Sequence, residues 1–432
     1  MKLKRELGLF EATFYGIGVI LGAGIFALIG PAAGVVGNGL WVSFLVGAIV
    51  ASFTDLSYAE LSTMFPHAAA EYVFIHKAYG SKFLAFLISW LIVFAGIVSI
   101  ATVALGFSGY FVDLVGKFFT VTIAENTFII LTALALIAIL SFVNFLGIKE
   151  SSHLNIILTA IEIFGLLVVI VLGLQHFGRV NYFEAQNGIK GILSATTLVF
   201  FAYLGFEDIA NIAEETKNPR KNISRAFIYA LLFTTLIYIL VSISAVSLAD
   251  WQDLASSPAP LAFAASKVMG ETSYIIISIT ALFATLGTVL CLLVIISRML
   301  YGMSKEKSLP WQLSLVDYKT RTPWAAIIAT MIFSFVFVLP SRIEIVASMT
   351  SLVSFITFAV VNLSLIWLRF TMPKMKRPFK TPINIGNFPV LAFLGMACCS
   401  LMIFQFNSIL ILFGIGIVAL GAVSYFVIEK FI

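Results

Sequence analysis

Gly22-Ala23-Gly24-Ile25-Phe26 sits inside the first long apolar segment of this 432-residue chain and interrupts it. A second interruption, Phe200-Phe201-Ala202-Tyr203-Leu204-Gly205-Phe206-Glu207-Asp208, lies near the middle. A helix in lipid must satisfy its own backbone hydrogen bonds. A broken one is tolerated only where it is buried in protein or lines a cavity. Two broken spans at matching places in two halves of a chain are the best sequence pointer to a solute site near mid-membrane.

The flanking sequence fixes the class. The chain is 61% hydrophobic and 11% charged, with mean hydropathy +1.07, whereas a soluble domain averages about 25% charged residues. Crossing a bilayer takes roughly 20 apolar residues. About 12 such runs are present: 10–36, 39–62, 83–112, 127–145, 154–175, 189–212, 226–248, 272–300, 324–340, 344–368, 388–406 and 408–428. The expected fold is an all-α polytopic membrane protein. The first run is too long for a removable signal peptide and lacks a small-residue cleavage site, so it reads as span 1.

Orientation follows from the basic residues. With the N-terminus and its Lys2, Lys4 and Arg5 in the cytoplasm, 21 of the 26 lysines and arginines fall inside, Arg298, Arg369 and Lys430 among them. Lys117, Arg179, Lys190, Lys267 and Arg342 fall outside. The same assignment puts the C-terminus in the cytoplasm. The net charge of +5 therefore reads as topology, and no nucleic-acid partner is expected. Cys291, Cys398 and Cys399 all lie in spans, where they suit packing and neither a disulfide framework nor a zinc site. No cofactor or metal is expected.

The polar connections 63–82, 176–188, 249–271, 303–323 and 369–387 have room for at most short helices. The interrupted spans are the first and sixth. That offset of five suggests two repeats of opposite orientation, 1–176 and 177–370, with two spans appended in 371–432.

Four stretches then carry a resemblance. They are Gly16-Ile17-Gly18-Val19-Ile20-Leu21-Gly22-Ala23-Gly24-Ile25-Phe26 in span 1, and Phe200 to Asp208 with its continuation Glu214-Glu215-Thr216-Lys217-Asn218-Pro219-Arg220-Lys221-Asn222-Ile223. The others are Ser297-Arg298-Met299-Leu300-Tyr301-Gly302-Met303, closed by Leu309-Pro310, and Lys376-Arg377-Pro378-Phe379-Lys380-Thr381-Pro382. In this order they make the chain similar to the amino acid–polyamine–organocation (APC) transporters, across nearly its whole length. The resemblance implies the inverted-repeat fold of the bacterial leucine transporter. It also implies alternating-access transport of an amino acid or related amine across the plasma membrane.

An α-amino acid presents a carboxylate and an ammonium. Glycines at 22 and 24 let span 1 unwind and let a ligand approach the backbone closely. The half-helix that starts there exposes N–H groups at the positive end of its dipole. Ala23, Gly24 and Ile25 are the expected carboxylate donors, with Ile20 beside them. The bland alternative is helix packing through the Gly18/Gly22 pair. In span 6, an unwound stretch at 201–204 would free carbonyls for the ammonium. By resemblance these belong to Phe201, Ala202 and Leu204, and Phe201 stands where relatives place an aromatic gate.

Charges inside a span are expensive and functional by default. Glu207 matches an acidic position of the family and has three readings: it ties the half-helices together, carries a proton, or binds a cationic substrate. Asp208 departs from the small residue usual there and receives no role. Glu162 of span 5 lies about nine residues from His153, or roughly 13 Å deep at a rise of about 1.5 Å per residue. Some proton-coupled relatives have a lysine at this position, and here an acid replaces it. Burial disfavours the charged form of a carboxyl, so Glu162 reads as a proton carrier. The alternatives are a Na⁺ ligand, with the Gly18 carbonyl and the hydroxyl of Thr285 or Thr288, and a packing residue hydrogen-bonded to its neighbours. His67, His76, His153 and His176 fall in loops or at span ends.

An intramembrane enzyme would need a nucleophile–base pair or metal ligands at depth. No histidine lies deep in a span and no HExxH motif occurs, so none is expected. A non-transporting amino-acid sensor is the reading from another class. Symport, exchange and oligomeric state stay open on sequence, as does the choice between proton and sodium.

Overall fold

The computed structural model describes residues 3–116, 125–257, 259–338, 343–404, 406 and 408–429. Lys2, Lys117, Arg342 and Lys430, used above for orientation, lie outside the described residues. The chain is helical almost throughout. The first half comprises α1 (Leu9–Val36), α2 (Leu40–Met64), α3 (Ala70–Tyr79), α4 (Lys82–Gly116), α5 (Glu125–Leu146) and α6 (Ile148–Leu174). Next come α7 (Gly188–Tyr203), α8 (Pro219–Leu248), α9 (Trp251–Ser256), α10 (Pro260–Met269) and α11 (Glu271–Lys305). The last four are α12 (Trp324–Val338), α13 (Ile343–Thr371), α14 (Val390–Ile403) and α15 (Ser408–Glu429).

Among the described residues, ten stretches are long and apolar enough to cross a membrane. The shorter apolar helices α12 and α14, of 15 and 14 residues, occupy the expected ninth and eleventh runs. The protein is thus an all-α polytopic membrane protein. Its packing is that of a solute in lipid: large apolar side chains face outward, among them Phe142 on α5, Phe164 on α6, Leu232 on α8 and Phe413 on α15. Only 17% of the apolar window of α15 is buried, against 72% for α11, so α15 is peripheral and α11 central.

The polar connections hold more structure than their composition suggests. α3, and the pair α9 and α10, are short helices lying between spans. In the 369–387 connection and just beyond it, Asn384–Ile385 pairs antiparallel with Phe388–Pro389. The N-terminal segment is tied down by a parallel bridge between Leu7 and Thr216. There the N–H groups of Glu6 and Leu7 both donate to Glu215 O, at 3.0 and 3.1 Å, and Lys217 N–H donates to Leu7 O at 2.7 Å.

Two helices are broken, and these breaks define the centre. In α1 the backbone leaves helical geometry at Gly22 (φ 20°, ψ −156°). The sixth span ends as α-helix at Tyr203, turns through an extended Leu204 and a left-handed Gly205 (φ 112°), and resumes as a 3₁₀ helix over Phe206–Ala210. The expected unwinding at 201–204 therefore begins too early. Gly205, whose φ is open to glycine at no steric cost, sets the break two to three residues later.

Candidate functional site

The two breaks face each other. A Cβ built on Gly24 would lie 2.7 Å from Ala202 Cα and 2.9 Å from Ala202 Cβ, so only glycine lets the half-helices approach this closely. Around them a cavity is lined by α1 (Val19, Ile20, Ala23, Gly24) and by the sixth span (Phe201, Ala202, Leu204, Gly205, Glu207, Asp208). α4, α11 and α13 close it with apolar walls that include Ile92, Leu292, Ile296 and Phe358. Of the sequence-predicted residues, Ile20, Ala23, Gly24, Phe201, Ala202, Leu204, Glu207 and Thr288 line this cavity. Ile25 is fully buried beside it. Gly18, Glu162 and Thr285 are not part of its lining.

The backbone groups at the breaks are partly engaged. Ala23 N–H donates to Thr288 Oγ1 at 3.2 Å, and a Cβ on Gly22 would strike the same oxygen. Thr288 is thus a clasp on the α1 break. Phe201 O accepts from Leu204 N–H at 3.2 Å. Ala202 O accepts from the hydroxyl of Tyr238 on α8 at 2.8 Å. That hydroxyl also lies against Ile20 O and, at 3.1 Å, Leu21 O. Tyr238 therefore spans both breaks at the carbonyl ends of their first half-helices, where acceptors are orphaned. Sequence reading missed it. The available signal was a phenol within an apolar run, because a buried tyrosine hydroxyl needs a partner.

Below the break, Gly18 packs on α6, where a Cβ would strike Thr159 Oγ1 and lie 2.8 Å from the Asn155 side chain. Asn155 joins three helices: its Nδ2 donates to Phe14 O at 3.3 Å and its Oδ1 accepts from Cys291 Sγ at 3.1 Å. Glu162 lies about two turns further along α6 and is 2% exposed. Its Oε1 has no hydrogen-bond partner among the described residues. Its helix, α6, packs against both α8 and α11. Thr285, expected as a second hydroxyl there, donates to Ala281 O and Leu282 O of its own helix, both at 2.9 Å.

Glu207 Oε2 accepts Gly205 N–H at 2.9 Å, so this carboxylate ties the break to the following 3₁₀ turn. The cluster continues outward to Glu71 on α3, fully buried and reached at 3.4 Å by Asn211 Nδ2. Burial pushes the Glu71 carboxyl up to about 7, against the opposing pull of backbone and Asn211 hydrogen bonds. Asp55 and Glu71 were not singled out from sequence. Asp55 lies inside the second apolar run, whereas Glu71 looks like an ordinary polar residue in the loop after it until the fold buries it.

Two ionic ties frame the cavity on the side of α3. Arg298 on α11 is fully buried; its Nε meets Glu215 Oε2 at 3.1 Å and its Nη1 donates to Asn144 Oδ1 at 2.5 Å. Arg369 on α13 meets Glu60 Oε2 at 2.6 Å and Thr381 Oγ1 at 3.0 Å. Both arginines counted as loop charges in the topology reading. They are instead buried inside the bundle, 0% and 2% exposed. His153 is exposed on the first turns of α6, and all three cysteines are free.

Known proteins agree with this architecture. Residues 7–428 match the family model described as amino acid permease. The branched-chain amino acid permease BcaP of Bacillus subtilis is 30% identical over 99% of this chain and 94% of its own length. The methylthioribose transporter of the same organism is 28% identical over the same shares. The inner membrane transport protein YbaT of Escherichia coli is 32% identical over 76% of each chain. Two broken helices meeting across a central cavity, matched by a family model over nearly the whole length, make this chain a member of the amino acid permease family of APC transporters.

Proposed function

We propose that this permease moves amino acids across the plasma membrane by alternating access, with both termini cytoplasmic and a proton as the coupling ion. The carrying observation is the unpartnered Glu162 Oε1, buried one helix away from the α1 break. A charge left alone at that depth is costly, and a proton is the smallest ligand that removes it. Substrate binding at Ala23–Gly24 is linked to Glu162 through a short physical path. Tyr238 touches the backbone of Ile20 and Leu21, and its helix α8 packs against α6, which carries Glu162. The division into inverted repeats 1–176 and 177–370 is supported by the breaks in the first helix of each.

The substrate carboxylate takes the N–H groups that follow Gly22, and its ammonium takes the Leu204 carbonyl. Phe201 on the cavity wall acts as the gate. Sodium has weaker support, since the Thr288 hydroxyl already accepts Ala23 N–H and donates to Ala284 O.

Uptake of a mixed panel of labelled amino acids into sealed proteoliposomes, sodium absent, tests the proposal. An inward proton gradient should stimulate uptake, and Glu162→Gln should abolish that stimulation while counterflow exchange persists. Gradient-stimulated uptake by Glu162→Gln equal to the parent would refute proton coupling at this residue. Uptake only into preloaded vesicles would make the protein an exchanger. Binding without any transfer of label would make it a sensor.

A further inference from the structure

The Asp208 carboxylate is left over when the buried charges of the bundle are matched. Arg298 is taken by Glu215 and Arg369 by Glu60, while Arg377 also lies 3.5 Å from Glu60. Glu207, its neighbour, is held by Gly205 N–H. Asp208 is only 6% exposed and lines the central cavity. Among the described residues its carboxylate has no hydrogen bond or ion pair; only its backbone is paired, with Gly205 and Asn211. The titratable groups that face it are Tyr15 on α1, Tyr58 on α2, Glu71 on α3, Cys291 on α11 and Glu207 beside it. None is basic. A carboxyl in a low-dielectric cavity is relieved by a proton or by a counter-charge, and the protein supplies no counter-charge.

The lining of the cavity also offers a place for a cation that arrives with the substrate. Asp208 lies four residues beyond Leu204, largely through 3₁₀ geometry. At a rise of about 2 Å per residue that is roughly 8 Å from the break, within reach of a lysine or arginine side chain whose α-carboxyl group sits at Ala23–Gly24. The lining includes the apolar side chains Val19, Ile92, Leu292 and Ile296, beside the hydroxyls of Ser99, Ser354 and Thr357. The apolar side chains suit the methylene stem of a basic side chain, which buries its carbons and keeps its charged head on a polar group.

We propose that Asp208 is the counter-charge for the side-chain cation of the substrate, so that the cavity takes basic amino acids in preference to apolar ones of equal length. The assignment rests on the amino-acid reading of this cavity and narrows it to one substrate class. L-Lysine and L-norleucine isolate the interaction, because norleucine has the lysine carbon chain without its ε-ammonium.

Equilibrium binding of the two labelled amino acids is measured on the full chain in lipid nanodiscs at neutral pH. A charge-assisted contact in a partly desolvated site should favour lysine by about tenfold or more. In Asp208→Asn the ratio should fall to about one, and Asp208→Glu should keep a preference for lysine. Equal affinities in the unaltered protein would overturn the proposal without needing any variant to fold. A lysine preference that survives in Asp208→Asn would overturn it too, as would failure to bind either compound. Transport of neutral amino acids in the proteoliposome panel would leave the permease reading intact in each of these cases.

Discussion

The Tyr238 hydroxyl has one proton and three carbonyl oxygens within reach, those of Ile20, Leu21 and Ala202. All three belong to helix ends whose regular acceptors have lost their partners. In the bilayer interior no water replaces them. Tyr238→Phe keeps the ring and its packing against Phe44 and Tyr203 and removes only the donor. It should destabilise the protein by about 1–3 kcal/mol, the usual cost of an unsatisfied buried polar group. It should also weaken amino-acid binding, since the breaks lose their common tie. A thermal midpoint in detergent and a binding curve matching those of the parent would reduce Tyr238 to a packing residue. This role was not legible in the sequence: the three acceptors lie 218, 217 and 36 residues away. Only the fold converts one phenol in an apolar run into a bridge. Asp208 was legible as an oddity inside a span, but its lack of a partner became visible only once every buried arginine had been matched.

At the scale of the helix, the span 1 break could be read directly, because Gly22 and Gly24 announce both the unwinding and the close approach. The span 6 break was read too early because Phe201, Ala202 and Tyr203 carry no helix-stopping signal. In the structure the helix runs on to Tyr203, and the chain turns at Gly205, the first residue there that tolerates the required φ. The short helices α3 and α10 fall in connections read as having room for a short helix, and they pack on the spans α4 and α11. The Gly24–Ala202 contact gives a graded test. Gly24→Ala adds one methyl where a Cβ would lie under 3.0 Å from Ala202, an overpacking of about 1–3 kcal/mol. It should lower substrate binding about tenfold, since 1.4 kcal/mol is a factor of ten, and Gly24→Leu should abolish binding in a protein that still inserts. Gly106→Ala is the control, because nothing lies within 4 Å of a Cβ at that position. Normal uptake by Gly24→Leu would remove the α1 break from the substrate site.

Across the whole molecule, the buried ties connect elements that lie far apart along the chain. Glu215 follows the sixth span, Arg298 lies on α11 and Asn144 on α5. The same Glu215 carbonyl holds the N-terminal segment. Sequence reading placed Arg298 in a cytoplasmic loop because charge asymmetry sees only sign and position along the chain. Its burial depends on a partner 83 residues away. Burial raises the Glu215 carboxyl above its ordinary value even though Arg298 pulls it down, so desolvation outweighs attraction at this pair. The two single replacements should therefore differ. Arg298→Met strands a buried carboxyl and Glu215→Leu strands a buried guanidinium, each at a cost of about 3–5 kcal/mol. The carboxyl can recover part of that by taking up a proton, whereas the guanidinium has no neutral form in this range. Arg298→Met should accordingly be the milder change and should lose stability as pH rises from 5 to 8, because the stranded acid is tolerated only while protonated. Glu215→Leu should show no such slope. The double replacement should recover much of the loss, since an apolar pair of similar volume carries no desolvation cost. A double-mutant cycle on the thermal midpoint, run at pH 5 and pH 8, reads all three quantities. Additive losses, or a pH slope in Glu215→Leu alone, would mean that the pair does not hold these elements together.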